Sequence, residues 1–244
     1  MSEYPYLTNW EALKKLEEED QKFTKICKKV GLVTISILSS LTAPLNLLGV
    51  LTVVPIKVLL DRLEKINRTK EVMKALLEEF GDEIIATYRI PVPGQQPIDL
   101  WVRFPGRAML LISIRSKGKK KVIFNEKNQT LCVRQKREKG GLTKWKPDPL
   151  TELGTYQLWL KKNRRELGLS SNESNRPTAK VLVLSGETDI ESHNKHLYLT
   201  MNNNKFLWIQ SKSNTFLIRK EEIVDFAKSY LAYQAEKRKQ TSKA

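Results

Sequence analysis

The sequence predicts a mixed α/β fold, in which helices pack on a mixed central sheet and an apolar helical segment precedes that sheet. Between residues 8 and 80, apolar side chains recur at three- and four-residue spacing, which is typical of amphipathic helices. After Gly81 the apolar period becomes two, in short runs separated by Pro-Gly turns. A helix that begins at Asp148-Pro149 then precedes the apolar run 180–184. This alternation favours helices on the faces of a mixed sheet.

Length and composition indicate a globular protein rather than a disordered one. The chain has 244 residues, of which 40% are hydrophobic and 29% are charged. This is enough apolar material for a sizeable core. Cys27 and Cys132 are the two cysteines, too few for a disulfide framework. They fit a reducing, intracellular compartment.

Two amphipathic helices are expected in the N-terminal third. The first covers residues 8–30, where Thr8 and Glu11 form a capping-box pattern at its start. The second covers residues 58–80 and ends at Gly81, a typical C-terminal stop. Both helices have one apolar side, so each is expected to pack against a neighbour.

The segment between these helices, from Gly31 to Ile56, contains 26 residues and no charge. Its length is sufficient to cross a bilayer once. Pro44 and Pro55 interrupt it, so two short helices in a re-entrant or interfacial hairpin are an alternative. Basic residues on both flanks then place both ends on the cytoplasmic face of a membrane. A hairpin buried inside a soluble fold is the third alternative.

The remaining chain is predicted to form strands, two helices and a basic tail. Strands are expected at 83–92, 98–104, 108–115, 120–124, 130–135, 180–184, 196–200, 206–210 and 216–219. Helices are expected from Asp148-Pro149 to Gly168 and over 221–233. The resulting domain division is an N-terminal helical and apolar part (1–60), an α/β domain (61–234) and a frayed tail (235–244).

Positive charge is concentrated in one stretch. The net charge is +16, and residues 115–146 hold twelve basic side chains against Glu126 and Glu138. Such a block favours a phosphate-rich or acidic partner: nucleic acid, an anionic lipid surface or an acidic protein. The residues expected to bind such a partner are Arg115, Lys117, Lys119, Lys120, Lys121, Arg134, Lys136, Arg137, Lys144, Trp145 and Lys146. Trp145 is included because an aromatic ring between two lysines can stack on a base.

Four short motifs lie in the predicted αβββαβ order. Lys70-Glu71 lies in the first helix, and Ile98-Asp99 begins the second strand. Ser113-Ile114-Arg115 ends the third strand, and Asp148 to Glu152 opens the next helix. Over residues 65–185 this pattern resembles the nuclease-related domain called NERD, within the PD-(D/E)XK nuclease superfamily. The resemblance implies a restriction-endonuclease-like core and affinity for nucleic acid.

The same resemblance implies that the active site is degenerate. Its vestigial positions are Glu71, Asp99, Ser113, Arg115 and Glu152. The family pattern has a metal-binding Glu at the position of Ser113, a catalytic Lys at that of Arg115 and a Gln at that of Glu152. Phosphodiester hydrolysis of this kind needs two carboxylates on a divalent cation and a lysine that orients the nucleophile. We therefore expect no metal site, no cofactor and no cutting, and we expect Arg115 to pair with Asp99 or with a phosphate.

Three functions remain open at this point. The first is a non-catalytic, membrane-associated module that binds nucleic acid through residues 115–146. The second is a membrane-associated scaffold or assembly subunit of a protein complex, with the basic stretch facing lipid or an acidic partner. The third is an active, Mg²⁺-dependent nuclease with a migrated site that joins Asp99 to Glu71 or Glu126.

Overall fold

The computed structural model describes residues 6–40, 48–135, 141–210 and 214–241. Two long helices come first, α1 (Asn9–Ser40) and α2 (Leu48–Phe80), and they pack along each other. Both extend beyond the expected bounds into the uncharged segment, so Gly31 and Pro55 each lie inside a helix. The break expected at Pro44 lies outside the described residues. No helix within the described ranges has an apolar stretch long enough to cross a membrane.

Strands β1 (Ile85–Ile90), β2 (Ile98–Phe104) and β3 (Ala108–Arg115) form an antiparallel meander after α2. The chain then forms β4 (Lys120–Asn125), β5 (Thr130–Gln135), β6 (Leu142–Lys144), α3 (Pro149–Lys162), α4 (Ser171–Ser174), β7 (Thr178–Leu184) and β8 (Asp189–Ile190). The last elements are β9 (Tyr198–Met201), β10 (Asn204–Ile209), β11 (Thr215–Arg219) and α5 (Ile223–Thr241).

The main sheet is mixed, in the order β1-β2-β3-β7-β11-β10-β9. β7 lies in the centre and pairs in parallel with both β3 and β11. The other pairings in this sheet are antiparallel. A second, small sheet has the order β6-β5-β4-β8, and its strand β4 is parallel to β8. The expected fold class, mixed α/β with a mixed sheet, is therefore confirmed.

Alternating side chains of the main sheet enter two separate cores. On one face, Leu100 and Ile112 pack with residues of α1, α2 and α5. On the other face, Trp101 and Leu111 pack with α3 and with the small sheet. Both faces are covered, which explains why the central strands are apolar at nearly every position.

Several element ends differ from the expectation. Helix α3 ends at Lys162 rather than at Gly168, because Asn163 caps it by donating to the carbonyl of Trp159. Helix α5 continues to Thr241 through most of the tail that was expected to fray. The guanidinium of Arg238 donates to the backbone carbonyls of Gly106 and Arg107, and this contact fastens the end of α5 to the β2–β3 turn. Helix α2 also runs without interruption through the expected domain boundary at residue 60.

Candidate functional site

Asp99 occupies a buried position where β2 meets the end of β3. Leu100 lies opposite Ile112, and this register places Asp99 opposite Ser113. The Asp99 carboxylate accepts a hydrogen bond from the backbone N–H of Ile114 at 2.8 Å and lies 3.5 Å from the Ser113 hydroxyl. Only 2% of the Asp99 side chain is exposed, so its charge needs close partners.

Two cations from different elements supply those partners. Arg115 Nη1 lies 2.5 Å from Asp99 Oδ2, and the Lys65 ammonium on α2 lies 2.7 Å from Oδ1. The Lys65 contact is ionic, because its angles fall outside hydrogen-bond geometry. The expected pairing of Arg115 with Asp99 is confirmed. The contact with Lys65 was not foreseen, since nothing in the sequence relates α2 to the start of β2.

Glu152 completes the group from the first turn of α3. Asp148 accepts a hydrogen bond from the Leu150 N–H and Pro149 occupies the first helical position, so the helix starts where the sequence predicts. Glu152 Oε2 then lies 3.0 Å from Arg115 Nη2. We call Lys65, Asp99, Arg115 and Glu152 the Asp99 cluster. It contains two cations and two carboxylates, and it joins α2, β2, β3 and α3.

The two carboxylates of the cluster stabilise the positive charge of Arg115. Burial alone disfavours the charge on Arg115, but Asp99 and Glu152 outweigh it and raise the pKa of the guanidinium. Tyr156 lies one turn after Glu152 on α3. Burial, followed by the negative charge of Glu152, raises the pKa of Tyr156 to about 12. The tyrosine is therefore a neutral neighbour of the network across the physiological pH range.

The other carboxylates considered for catalysis have different partners. Glu71 Oε2 lies 2.6 Å from Lys220 Nζ and is half exposed. Six residues separate it from Lys65, a rotation of about 120° around the helix away from the cluster. Glu126 lies in the β4–β5 turn, where hydrogen bonds from His196 and Asn194 lower its pKa. Within the described residues, no three His, Cys, Asp or Glu side chains form a group that could hold a metal ion.

A cleft of about 750 Å³ opens beside the Asp99 cluster. Its charged lining residues are four carboxylates and three cations: Asp61, Glu64, Glu152, Glu187, Lys65, Arg68 and Arg115. In a chain of net charge +16, this lining carries no positive excess. The cleft is thus a poor receptor for a phosphodiester, since an anion entering it meets more carboxylates than cations.

The basic residues of two chain segments meet at the small sheet instead. Lys117 Nζ lies 5.0 Å from the centre of the Trp145 ring, so the β3–β4 turn contacts the segment before α3. In the sheet, Lys121 on β4 pairs with Arg134 on β5, and Arg134 pairs with Leu142 on β6, two residues before Lys144. We call this the basic surface; its members are Lys117, Lys119, Lys120, Lys121, Arg134, Lys144 and Lys146.

Like charges in this surface lie close enough to affect one another. Partial burial, followed by the charges of Lys120 and Arg115, lowers the pKa of Lys117. Two members have carboxylate neighbours at 3.5 Å, Lys119 with Glu187 and Arg134 with Glu191. Both contacts are exposed and weak. A bound anion would relieve the repulsion among the lysines.

Two residues expected to bind a partner do not belong to this surface. Trp145 is 3% exposed and packs in the core beneath the small sheet, so it anchors the chain and cannot stack on a base. Arg115 is largely buried, and its two terminal nitrogens face Asp99 and Glu152. Burial contradicts the expected stacking by Trp145, and the two carboxylates argue against Arg115 as a ligand contact. Neither burial nor a distant carboxylate partner is visible in local sequence. Lys136 and Arg137 lie outside the described residues.

Comparison of the chain with protein-family models, with curated proteins and with solved structures produced no match. The functional argument therefore depends on the geometry of this chain.

Proposed function

We propose that this protein is a nuclease-like module that binds the phosphate backbone of nucleic acid through its basic surface and does not cut it. The order of the elements in and beside the main sheet supports the proposal: a helix, an antiparallel three-stranded meander, a helix, and a strand parallel to the third strand. This is the αβββαβ order of the PD-(D/E)XK resemblance. The strands β4 to β6 of the small sheet are inserted after the meander, and the short helix α4 follows α3. Asp99, Arg115 and Glu152 meet in space, as the corresponding positions of that family do.

The Asp99 cluster argues against hydrolysis. Metal-dependent cleavage requires two carboxylates with free oxygens and a lysine that orients water. Here each Asp99 oxygen faces a cation, and Ser113 has no carboxylate to offer. The cluster instead connects four elements in a buried, charge-balanced contact. Its role in the proposal is structural: it holds β3 and α3, from which the basic surface projects.

The observation that carries the proposal is the convergence of two basic segments on the small sheet. Lys117 to Lys121 approach Lys144 and Lys146 through the contact of Lys117 with Trp145 and through the pairing of β4, β5 and β6. Contacts of lysine with phosphate carry little sequence information. Binding is therefore expected to depend strongly on salt and weakly on sequence.

The test is a fluorescence-anisotropy titration of a labelled oligonucleotide with the full-length protein. We expect the triple variant K120Q/K121Q/K144Q to bind about tenfold more weakly or worse, because it removes three phosphate contacts. The matched control is K14Q/K22Q/K25Q on the exposed face of α1, which changes the net charge equally. The control is expected to bind like the wild type. Equal losses in both variants would show that only net charge matters and would contradict the proposed surface.

Two other outcomes would support different functions. Mg²⁺-dependent nicking of plasmid DNA that disappears in Asp99→Ala would show an active nuclease. The second alternative function is a membrane-associated scaffold, held at the membrane by residues 31–56, whose basic surface faces acidic lipid or an acidic protein. Purification from native cells in mild detergent would then recover membrane-complex subunits without nucleic acid. We expect neither outcome, and nucleic acid released by moderate salt is the predicted result.

A further inference from the structure

A second cavity, of about 340 Å³, lies where the small sheet covers the end of the main sheet formed by β9, β10 and β11. Its size is at the lower end of the range for small-molecule sites, about 300–1,000 Å³. The small sheet contributes Lys121 and Ile190, and the main sheet contributes Tyr198, Lys205 and Leu217. Lys121 also belongs to the basic surface, so the cavity opens directly beside it.

The register of the main sheet explains the lining. Tyr198 lies opposite Leu207, and Leu207 lies opposite Leu217, so these three side chains form a row on one face. Lys205 lies two residues before Leu207 and Arg219 lies two residues after Leu217, so both share this face. The result is an apolar floor with an aromatic side chain, bordered by cations.

The charged side chains at the rim of the cavity differ in whether they form an ion pair. Arg219 is held by Asp189, at 2.9 Å from Nε and 2.7 Å from Nη2, and it also neighbours Glu222. Glu191 lies 3.5 Å from Arg134. The exposed lysines Lys121 and Lys205 form no close ion pair among the described residues, although, after the hydrogen bond from Arg219, the charge of Lys121 helps to lower the pKa of the nearby Asp189. These two lysines are therefore available to an anion at the rim.

We infer that this cavity takes an unstacked nucleobase, with Tyr198 against the ring and Lys121 and Lys205 on the adjacent phosphates. This inference rests on the proposed function and specifies its ligand as single-stranded nucleic acid. Every base has an apolar π-face, so one aromatic residue beside a basic groove favours single strands without selecting sequence. A base pair in a duplex keeps its faces stacked and cannot enter.

The experiment compares three probes with equal numbers of phosphates: a single-stranded oligonucleotide, its abasic counterpart and a duplex. The wild type is expected to bind the single strand about tenfold more tightly than the abasic strand, the typical effect of stacking one base. Tyr198→Leu keeps an apolar side chain and is expected to remove this preference while leaving abasic binding unchanged. The matched control is Tyr88→Leu, a partly buried tyrosine at the opposite edge of the main sheet.

The outcomes separate this inference from the proposed function. Salt-sensitive binding of all three probes with equal affinity would overturn the base pocket and leave the proposed function intact. Absence of binding to every probe would overturn both. Comparing the affinity of the wild type for the single strand with its affinity for the abasic strand tests the base pocket even when Tyr198→Leu does not fold. Lys205→Gln, an exposed substitution, is a second variant and is expected to weaken binding of the single strand and of the abasic strand alike, because both present phosphates to this lysine.

Discussion

Asp99 is a buried carboxylate whose surroundings are those of a structural ion pair. Its two oxygens contact Lys65 and Arg115. The carboxylate also accepts a hydrogen bond from the backbone N–H of Ile114 on β3. Removing one member of a buried ionic group leaves its partners desolvated and unpaired. The stability of the domain should therefore depend on Asp99 far more than on an exposed carboxylate.

We predict that Asp99→Ala lowers the free energy of unfolding by about 3 kcal/mol or more, the usual cost of breaking a buried ion pair. The matched control is Glu71→Ala, which removes an exposed partner of Lys220 and should cost less than about 1 kcal/mol. Urea denaturation followed by circular dichroism measures both values. Similar losses in the two variants would contradict a structural role for the cluster.

Single residues also mark the limit of prediction from sequence. Asp99 and Arg115 could be paired because they lie on adjacent strands of a recognisable meander. Glu152 could be placed at the start of α3 from the Asp-Pro cap. Lys65 could not be assigned, because it approaches Asp99 through the packing of α2 beyond the end of the sheet. Trp145 was misjudged for a related reason: flanking lysines indicate exposure, whereas tertiary packing buries the ring.

At the scale of elements, turn chemistry was the most informative local signal. The hairpin expected around Asn202 to Asn204 is present, with β9 ending at Met201 and β10 beginning at Asn204. Asn202 and Asn203 have φ angles of +45° and +66°, as a two-residue type I′ turn requires. Asparagine tolerates this conformation better than other non-glycine residues.

We predict that Asn203→Ala destabilises the protein by about 1 kcal/mol, because a Cβ without a local hydrogen-bonding group disfavours the left-handed region. Asn203→Gly should be neutral or stabilising, since glycine adopts positive φ without steric cost. Chemical denaturation of the two variants provides the comparison. An alanine variant as stable as the glycine variant would rule out the turn as a constraint on the β9–β10 register.

The elements that the sequence did not predict are short, and the helix ends that it misplaced lie where a helix continues into the neighbouring segment. Strand β6 has three residues, β8 has two and α4 has four, too few for an apolar period to be detected. Helix α1 was expected to end near residue 30 and helix α2 to begin near residue 58, where composition changes. Composition marks a change of environment, whereas the helical backbone continues through it, even past Gly31 and Pro55.

At the scale of the whole molecule, charge is divided between two neighbouring regions. The cleft beside the Asp99 cluster contains a mixture of carboxylates and cations, whereas the small sheet concentrates exposed lysines. The basic stretch could be located from the sequence, whereas its preference for phosphate stays a prediction. It did not predict that the cleft itself would lack positive charge, because the acidic residues Asp61, Glu64 and Glu187 come from α2 and from the β7–β8 loop.

The measurement that tests the central claim most directly is the salt dependence of nucleic-acid binding by the full-length protein. Contacts between about four members of the basic surface and the phosphates of a single strand predict a slope of log Kobs against log salt near −3, or about 50-fold weaker binding when salt rises from about 50 to about 200 mM. A slope of this size would support phosphate contacts by the basic surface. Binding that is absent, or that changes less than about threefold over this range, would contradict the claim.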